Sequence, residues 1–161
     1  MSPANERKIY PILQHSLLTA FIAKKIGPIM KLNADEVFVC GILHDIGKTV
    51  LIGFLEGYKL SRVQNYTIMK QYHTDIGYLL AKAWKFSEVV QQAVQFHHNP
   101  SLAKKYSQQV FLVHWADRIA HEENTFEFLP EICDLLQAGE EQVKDILEHI
   151  AQLRDTAVSL V

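Results

Sequence analysis

Apolar residues recur at helical spacing along almost the whole chain, and the places where that period breaks divide it into helices. Pro11 falls in the first turn of a helix that runs to about Ile26, where its missing N–H costs nothing, and Gly27-Pro28 closes it. Asn33-Ala34-Asp35-Glu36 reads as a capping box, with Asn33 as the cap and Glu36 reaching back. The helix it opens carries Val37, Phe38, Cys40, Gly41, Ile42 and Leu43 and then meets Gly47. A short apolar helix covers Thr49 to Leu55. Tyr66 to Trp84 is helical, with a break expected near His73. Ser87 caps a helix to His98, stopped by Asn99-Pro100. Ser107 to about Glu122 forms another helix, and Asn124 to Pro130 a loop. Two more helices, roughly Glu131 to Ala138 and Glu140 to Leu160, are separated by Gly139. No strand pattern competes, and 7 Gly and 5 Pro are too few turn signals for an all-β architecture. The expected fold class is all-α.

At 161 residues the chain is expected to form a single domain, 1–161, large enough for its own core. Residues from about 124 to 161 read as a helical extension that packs on that core or supplies a homodimer surface. Hydrophobic residues at 48% against 21% charged argue against wholesale disorder. The formal net charge of -2 gives no general electrostatic reason to bind nucleic acid or an anionic membrane. Cys40 and Cys133 lie far apart in apolar helical contexts and read as reduced, buried thiols. No apolar run reaches the length of a membrane span, and the polar start from Met1 to Tyr10 lacks the core of a signal peptide. A soluble, cytoplasmic protein is expected.

Eight histidines in so short a chain change the picture. His15 lies midway along the first helix. His44-Asp45 interrupts an apolar run, His73 begins a helical stretch, His97-His98 ends another, and Asp117 sits within an apolar helix. Ionisable groups buried in such settings are costly unless paired or bound to a metal. Imidazole and carboxylate together suit divalent transition ions, and helical bundles build such sites from facing helices. His121 and His149 read as ordinary core or surface histidines. His114 shares a helix face with Asp117 and could serve as ligand or supporting partner.

Leu43-His44-Asp45-Ile46-Gly47-Lys48 resembles the signature of the HD superfamily of metal-dependent phosphohydrolases. The wider order of His15, His44-Asp45 and Asp117 matches that superfamily's pattern. The added His73 and His97-His98 resemble the subset with two metals, which includes the HD-GYP phosphodiesterases. Tyr72-His73-Thr74-Asp75-Ile76-Gly77, Trp84, His97-His98 and the helical stretch from Leu135 to Leu153 are also similar to HDOD signalling modules. The resemblance covers about residues 12 to 155. Asn99-Pro100-Ser101-Leu102 stands where a Gly-Tyr-Pro motif would follow, which counts against cyclic di-GMP as substrate.

The resemblance implies an HD-type helical bundle with a metal site at its centre. It implies that His15, His44, Asp45 and Asp117 bind a first metal, and that Asp45 bridges to a second held by His73, His97 and His98. The cofactor would be Fe, Mn, Ni, Zn or Co. Lys48 would face the phosphate, or else solvent at the start of a short helix; Arg118 is a second candidate for phosphate contact. Apart from Lys48 and Arg118, Lys104-Lys105 is the one further basic pair in view of the ligands. The implied activity is hydrolysis of a phosphoester, on a nucleotide or cyclic nucleotide. The other reading is a catalytically silent HDOD-type regulatory module that keeps a metal site.

Overall fold

The computed structural model describes residues 3–121, 129–136 and 139–159. Among these the regular elements are all helical: α1 (Pro3–Ile26), α2 (Ala34–Leu43), α3 (Ile46–Leu55), α4 (Arg62–Ala83), α5 (Glu88–Phe96), α6 (Ser107–His121), α7 (Leu129–Leu136) and α8 (Glu140–Ser159), with a 3-10 turn at Pro100–Leu102. The all-α expectation holds.

Several boundaries differ from the sequence reading, each for a physical reason. The first helix starts at Pro3, so Pro11 lies inside it and not in its first turn. Buried Asn5 and Ile9 carry the inward stripe back past the proline, and that burial outweighs one lost backbone hydrogen bond. Asn33 caps α2 by accepting from the amides of Asp35 and Glu36. Glu36 does not reach back; its carboxylate accepts instead from Gln109 Nε2 on α6, 3.3 Å away. The reciprocal box occurs at α4, where Ser61 and Gln64 cap each other. That helix runs unbroken through His73. α3 begins three residues early, at Ile46. Most of the loop expected at 124–130 lies outside the described residues, and α7 already begins at Leu129.

Two apolar clusters hold the helices together. In the larger, Leu18, Ile22 and Ile26 of α1 meet Leu112, Ala116 and Ile119 of α6, covered by Val143, Ile146 and Ile150 of α8. The smaller joins Cys40 of α2, Val89, Val90, Ala93 and Val94 of α5, and Val113 of α6. Cys40 is fully buried and its thiol is pushed up to about 12 by that burial, which makes it an inert core residue. Cys133 is only half-buried, and both cysteines are free.

Close helix contact depends on missing side chains at two crossings. A Cβ on Gly41 would lie 2.6 Å from Ala20 Cα, so α2 rests directly on the α1 backbone. A Cβ on Gly47 would overlap the carbonyl oxygen of His73 at 1.9 Å and lie 2.8 Å from Gly77 N. That brings the start of α3 onto the middle of α4.

The expectation that no apolar run reaches membrane length does not hold by length and composition. The stretch Ala34–Leu55 does reach that length, at 22 residues, and is apolar enough to cross. In the fold it is two helices that meet at His44-Asp45, with part of its surface buried against α1, α4 and α5.

Candidate metal centre

The smaller cluster positions the polar site. One helical turn beyond Cys40 stands His44; one turn beyond Ala93 stands His97; one turn beyond Val113 stands Asp117. Residues four apart share a helix face, so three helices packed through apolar residues present their next turn to a common point. α1 brings His15 to that point and α4 brings His73. Asp45 sits in the bend between α2 and α3.

The ligand candidates converge closely. His44 Nε2 is 3.4 Å from Asp45 Oδ2 and 3.4 Å from Asp117 Oδ1. His73 Nε2 and His97 Nε2 are 3.5 and 3.6 Å from Asp45 Oδ1. His15 Nε2 lies 2.8 Å from Asp117 Oδ1, and His98 Nδ1 lies 4.0 Å from Asp117 Oδ2. His44, Asp45, His73, His97 and Asp117 are buried, while His98 is partly open to solvent. The groups fall into three overlapping sets able to hold an ion: Asp45 with His73, His97 and His98; Asp45 with His15 and His44; and Asp117 with His15 and His121. Asp45 belongs to the first two.

The backbone fixes the tautomers. His44 Nδ1 faces Gly41 O at 2.7 Å, His73 Nδ1 faces Met69 O at 2.8 Å, and His97 Nδ1 faces Val94 O at 3.0 Å. A carbonyl only accepts, so each Nδ1 carries the proton and donates it. In its neutral form each ring turns an Nε2 lone pair toward carboxylate oxygens, which are acceptors too. His44 Nε2, His97 Nε2 and Asp45 Oδ1 are buried and have no hydrogen-bond partner. An unsatisfied buried polar atom costs about 1–3 kcal/mol, so three cost a large part of the roughly 5–15 kcal/mol that stabilises a domain. A cation at their meeting point removes that cost, and Nδ1–H pinned to a carbonyl is the usual support for a metal-binding imidazole.

Without an ion, a proton on His44 Nε2 removes part of that cost. Burial disfavours the imidazolium of His44, but the carboxylates of Asp45 and Asp117 outweigh it and hold its pKa up at about 10. Burial would raise Asp45 and Asp117, yet neighbouring imidazoles, with Lys48 beside Asp45, hold both well below the carboxylate range. Desolvation lowers His15, His73 and His97, and brings His98 down to about 4. The centre therefore keeps two carboxylates ionised, four imidazoles neutral, and one positive charge at His44. A divalent ion can take the place of that proton.

Other expected residues divide. Lys48 Nζ donates to Asp45 Oδ2 and its side chain lines a groove of about 1130 Å³ that opens beside the centre. Arg118 does not line that groove; its guanidinium lies over the Trp115 ring, 4.8 Å from the centroid. Lys104 and Lys105 are also absent from its lining, and Lys105 pairs with Glu88 at the surface. His114 stands behind the ligands, its Nδ1 donating to the His97 carbonyl at 2.7 Å. His121, read as an ordinary histidine, stacks on His15 with centroids 4.0 Å apart, lies 3.5 Å from Asp117 Oδ1, and lines the groove. Its spacing of four from Asp117 was the available signal. His149 is exposed on α8.

Residues 12–122 match the HD domain family model. Over 95 residues the chain is 28% identical to Ribonuclease Y of Mycoplasma genitalium, covering 59% of this chain and 16% of that protein. It is 28% identical over 110 residues to a "Probable nicotinate-nucleotide adenylyltransferase/Ap4A hydrolase" of the same organism, covering 66% of this chain and 31% of the relative. Among solved structures, an HDOD domain protein of unknown function from Geobacter sulfurreducens superposes with a TM-score of 0.68 at 22% identity, over 92% of this chain and 62% of that one. The chain thus spans less than a third of either curated relative, and the structural likeness shows the fold.

Proposed function

The chain belongs to the HD-domain family, and on that premise we propose that it is a metal-dependent phosphohydrolase that cleaves a phosphoester of a nucleotide or cyclic nucleotide. HD domains bind divalent metals. The observation that carries the reading is the set of buried, inward-facing polar atoms without a hydrogen-bond partner at His44, His97 and Asp45. On this reading His15, His44, Asp45 and Asp117 hold one divalent transition ion, and Asp45 is shared with a second held by His73, His97 and His98. Bound divalent metal supplies Lewis acidity and makes water a nucleophile near neutral pH.

The chain's own groups supply the rest. His44, His73 and His97, each pinned through Nδ1 to a backbone carbonyl, present Nε2 to the site. Lys48 reaches from Asp45 into the groove and places a positive charge where phosphate oxygens would gather charge. The half-exposed edge at His98 leaves the centre accessible to substrate. The names of the two curated relatives, a ribonuclease and a "Probable nicotinate-nucleotide adenylyltransferase/Ap4A hydrolase", both include hydrolysis of a phosphate ester or anhydride, which supports such a reaction here. The likeness to an HDOD protein favours the second reading, a silent regulatory module that retains the ions.

One experiment separates them. Chain purified without a histidine tag and reconstituted with Mn, Fe, Zn, Ni or Co is expected to hold up to two ions and to cleave bis(p-nitrophenyl) phosphate. Lys48→Ala should keep its metal and lose about a hundredfold in turnover, the scale of one electrostatic contact to a transition state. Absence of bound metal overturns the proposal. Full metal loading with no hydrolysis of that ester or of a nucleotide panel supports the module.

A further inference from the structure

Three helix faces leave the metal centre along the walls of one groove. On α4 the lining residues run backward from His73 through Lys70 and Tyr66 to Arg62; on α1 they run from the His15 region back to Lys8; on α3 they run forward from Lys48. The intervals are three, four or multiples of these, so each set is one stripe of its helix. At about 1.5 Å rise per residue, Lys70, Tyr66 and Arg62 stand roughly 5, 10 and 16 Å from His73 along the α4 axis. Lys8 stands roughly 10 Å from His15 along α1.

Lys48 pairs with Asp45, but the other cations on these stripes are not spent elsewhere. Lys24, Lys105 and Lys144 each pair with a carboxylate. Among the described residues Lys8, Arg62 and Lys70 have no such ion pair, and Glu56 is the one acidic side chain lining the groove with them. Tyr66 is 68% exposed on the same wall. Cations spaced along a groove with an aromatic face between them are the arrangement that tracks a phosphodiester backbone and stacks a base.

We propose that Lys8, Arg62, Tyr66 and Lys70 form a distal subsite that binds a second phosphate and the base beside it, so that the preferred ligand is a linear dinucleotide carrying a phosphate beyond the one at the metals. This rests on the phosphoester reading of the centre but adds a length requirement to it. Lys70 and Lys8 are near enough to serve the linking nucleotide, Tyr66 stacks its base, and Arg62 takes the terminal phosphate. A simple monoester or a nucleoside monophosphate fills only the end near Lys48.

The probe is a phosphorothioate-linked analogue of pApA that resists cleavage, titrated calorimetrically into the metal-loaded chain beside AMP. Wild type is expected to bind the dinucleotide at least tenfold tighter than AMP. Arg62→Ala combined with Lys70→Ala should abolish that preference while leaving AMP affinity within about twofold; both side chains are exposed, so helix content by circular dichroism should not change. Equal affinity for the two probes in wild type, or an undiminished preference in the double variant, overturns the subsite. A chain that shows the preference yet cleaves nothing keeps the subsite and discards the hydrolase. A chain that cleaves bis(p-nitrophenyl) phosphate without the preference does the reverse.

Discussion

Asp45 is where the chemistry of this chain concentrates. Its two oxygens face His44, His73, His97 and Lys48, and it occurs in two of the three candidate ion sets of the buried centre. Asp45→Asn keeps the shape and removes the charge. It is expected to weaken metal binding by about a hundredfold or more, since even outer-shell partners of metal ligands carry 10–100-fold. Elemental analysis after dialysis would show the loss, with helix content unchanged; retention of both ions would refute the shared role. His44-Asp45 was legible because a charged pair within an apolar run has no ordinary explanation. His121 offers only its spacing of four from Asp117, and the groove cations offer no signal, because a single histidine or lysine on a helix looks the same whether it faces bulk water or a groove.

Helices bring these residues within reach only because their backbones approach closely at a few positions. Gly47 is the clearest, since its α-carbon lies against the His73 carbonyl and Gly77. Gly47→Ala must push α3 off α4, and the clash is with backbone, which cannot rotate away. A destabilisation of about 1–3 kcal/mol is expected from overpacking. Because His73 is on the displaced segment, metal content should fall with it; chemical denaturation with metal analysis would measure both. Gly77→Ala strikes mainly a Val94 methyl, 2.7 Å away, and should be milder. Capping and periodicity placed most helix ends within a few residues. Pro11 predicts a boundary at the start of α1, but the buried stripe at Asn5 and Ile9 carries the helix back past it.

For the molecule as a whole, the buried centre sets the dependence of stability on pH. In the metal-free chain His44, raised to about 10, contributes stability that is fully present below its unfolded value near 6.5 and is lost as pH rises through about 10. His98, lowered to about 4, and His15, His73 and His97, also lowered, contribute in the opposite sense: that part is present above about 6.5 and lost as pH falls toward 4. Asp45 and Asp117, held low, lose theirs only below the unfolded carboxylate value near 3.8. The urea midpoint of the metal-free chain should therefore peak near pH 6.5 and fall on both sides. A bound ion replaces the His44 proton, so metal-loaded chain should lose the alkaline decline; a midpoint that falls equally with and without metal would refute this. By itself the sequence determined the all-α class, most helix positions and the resemblance to the HD family, because periodicity, caps and a misplaced charged pair are local and survive without coordinates. Only the tertiary structure decided that Arg118 lies over Trp115, that His121 joins the centre, and that Lys8, Arg62 and Lys70 share a groove. Those outcomes depend on the rotation of each helix about its axis, which is set by packing against partners distant in the chain.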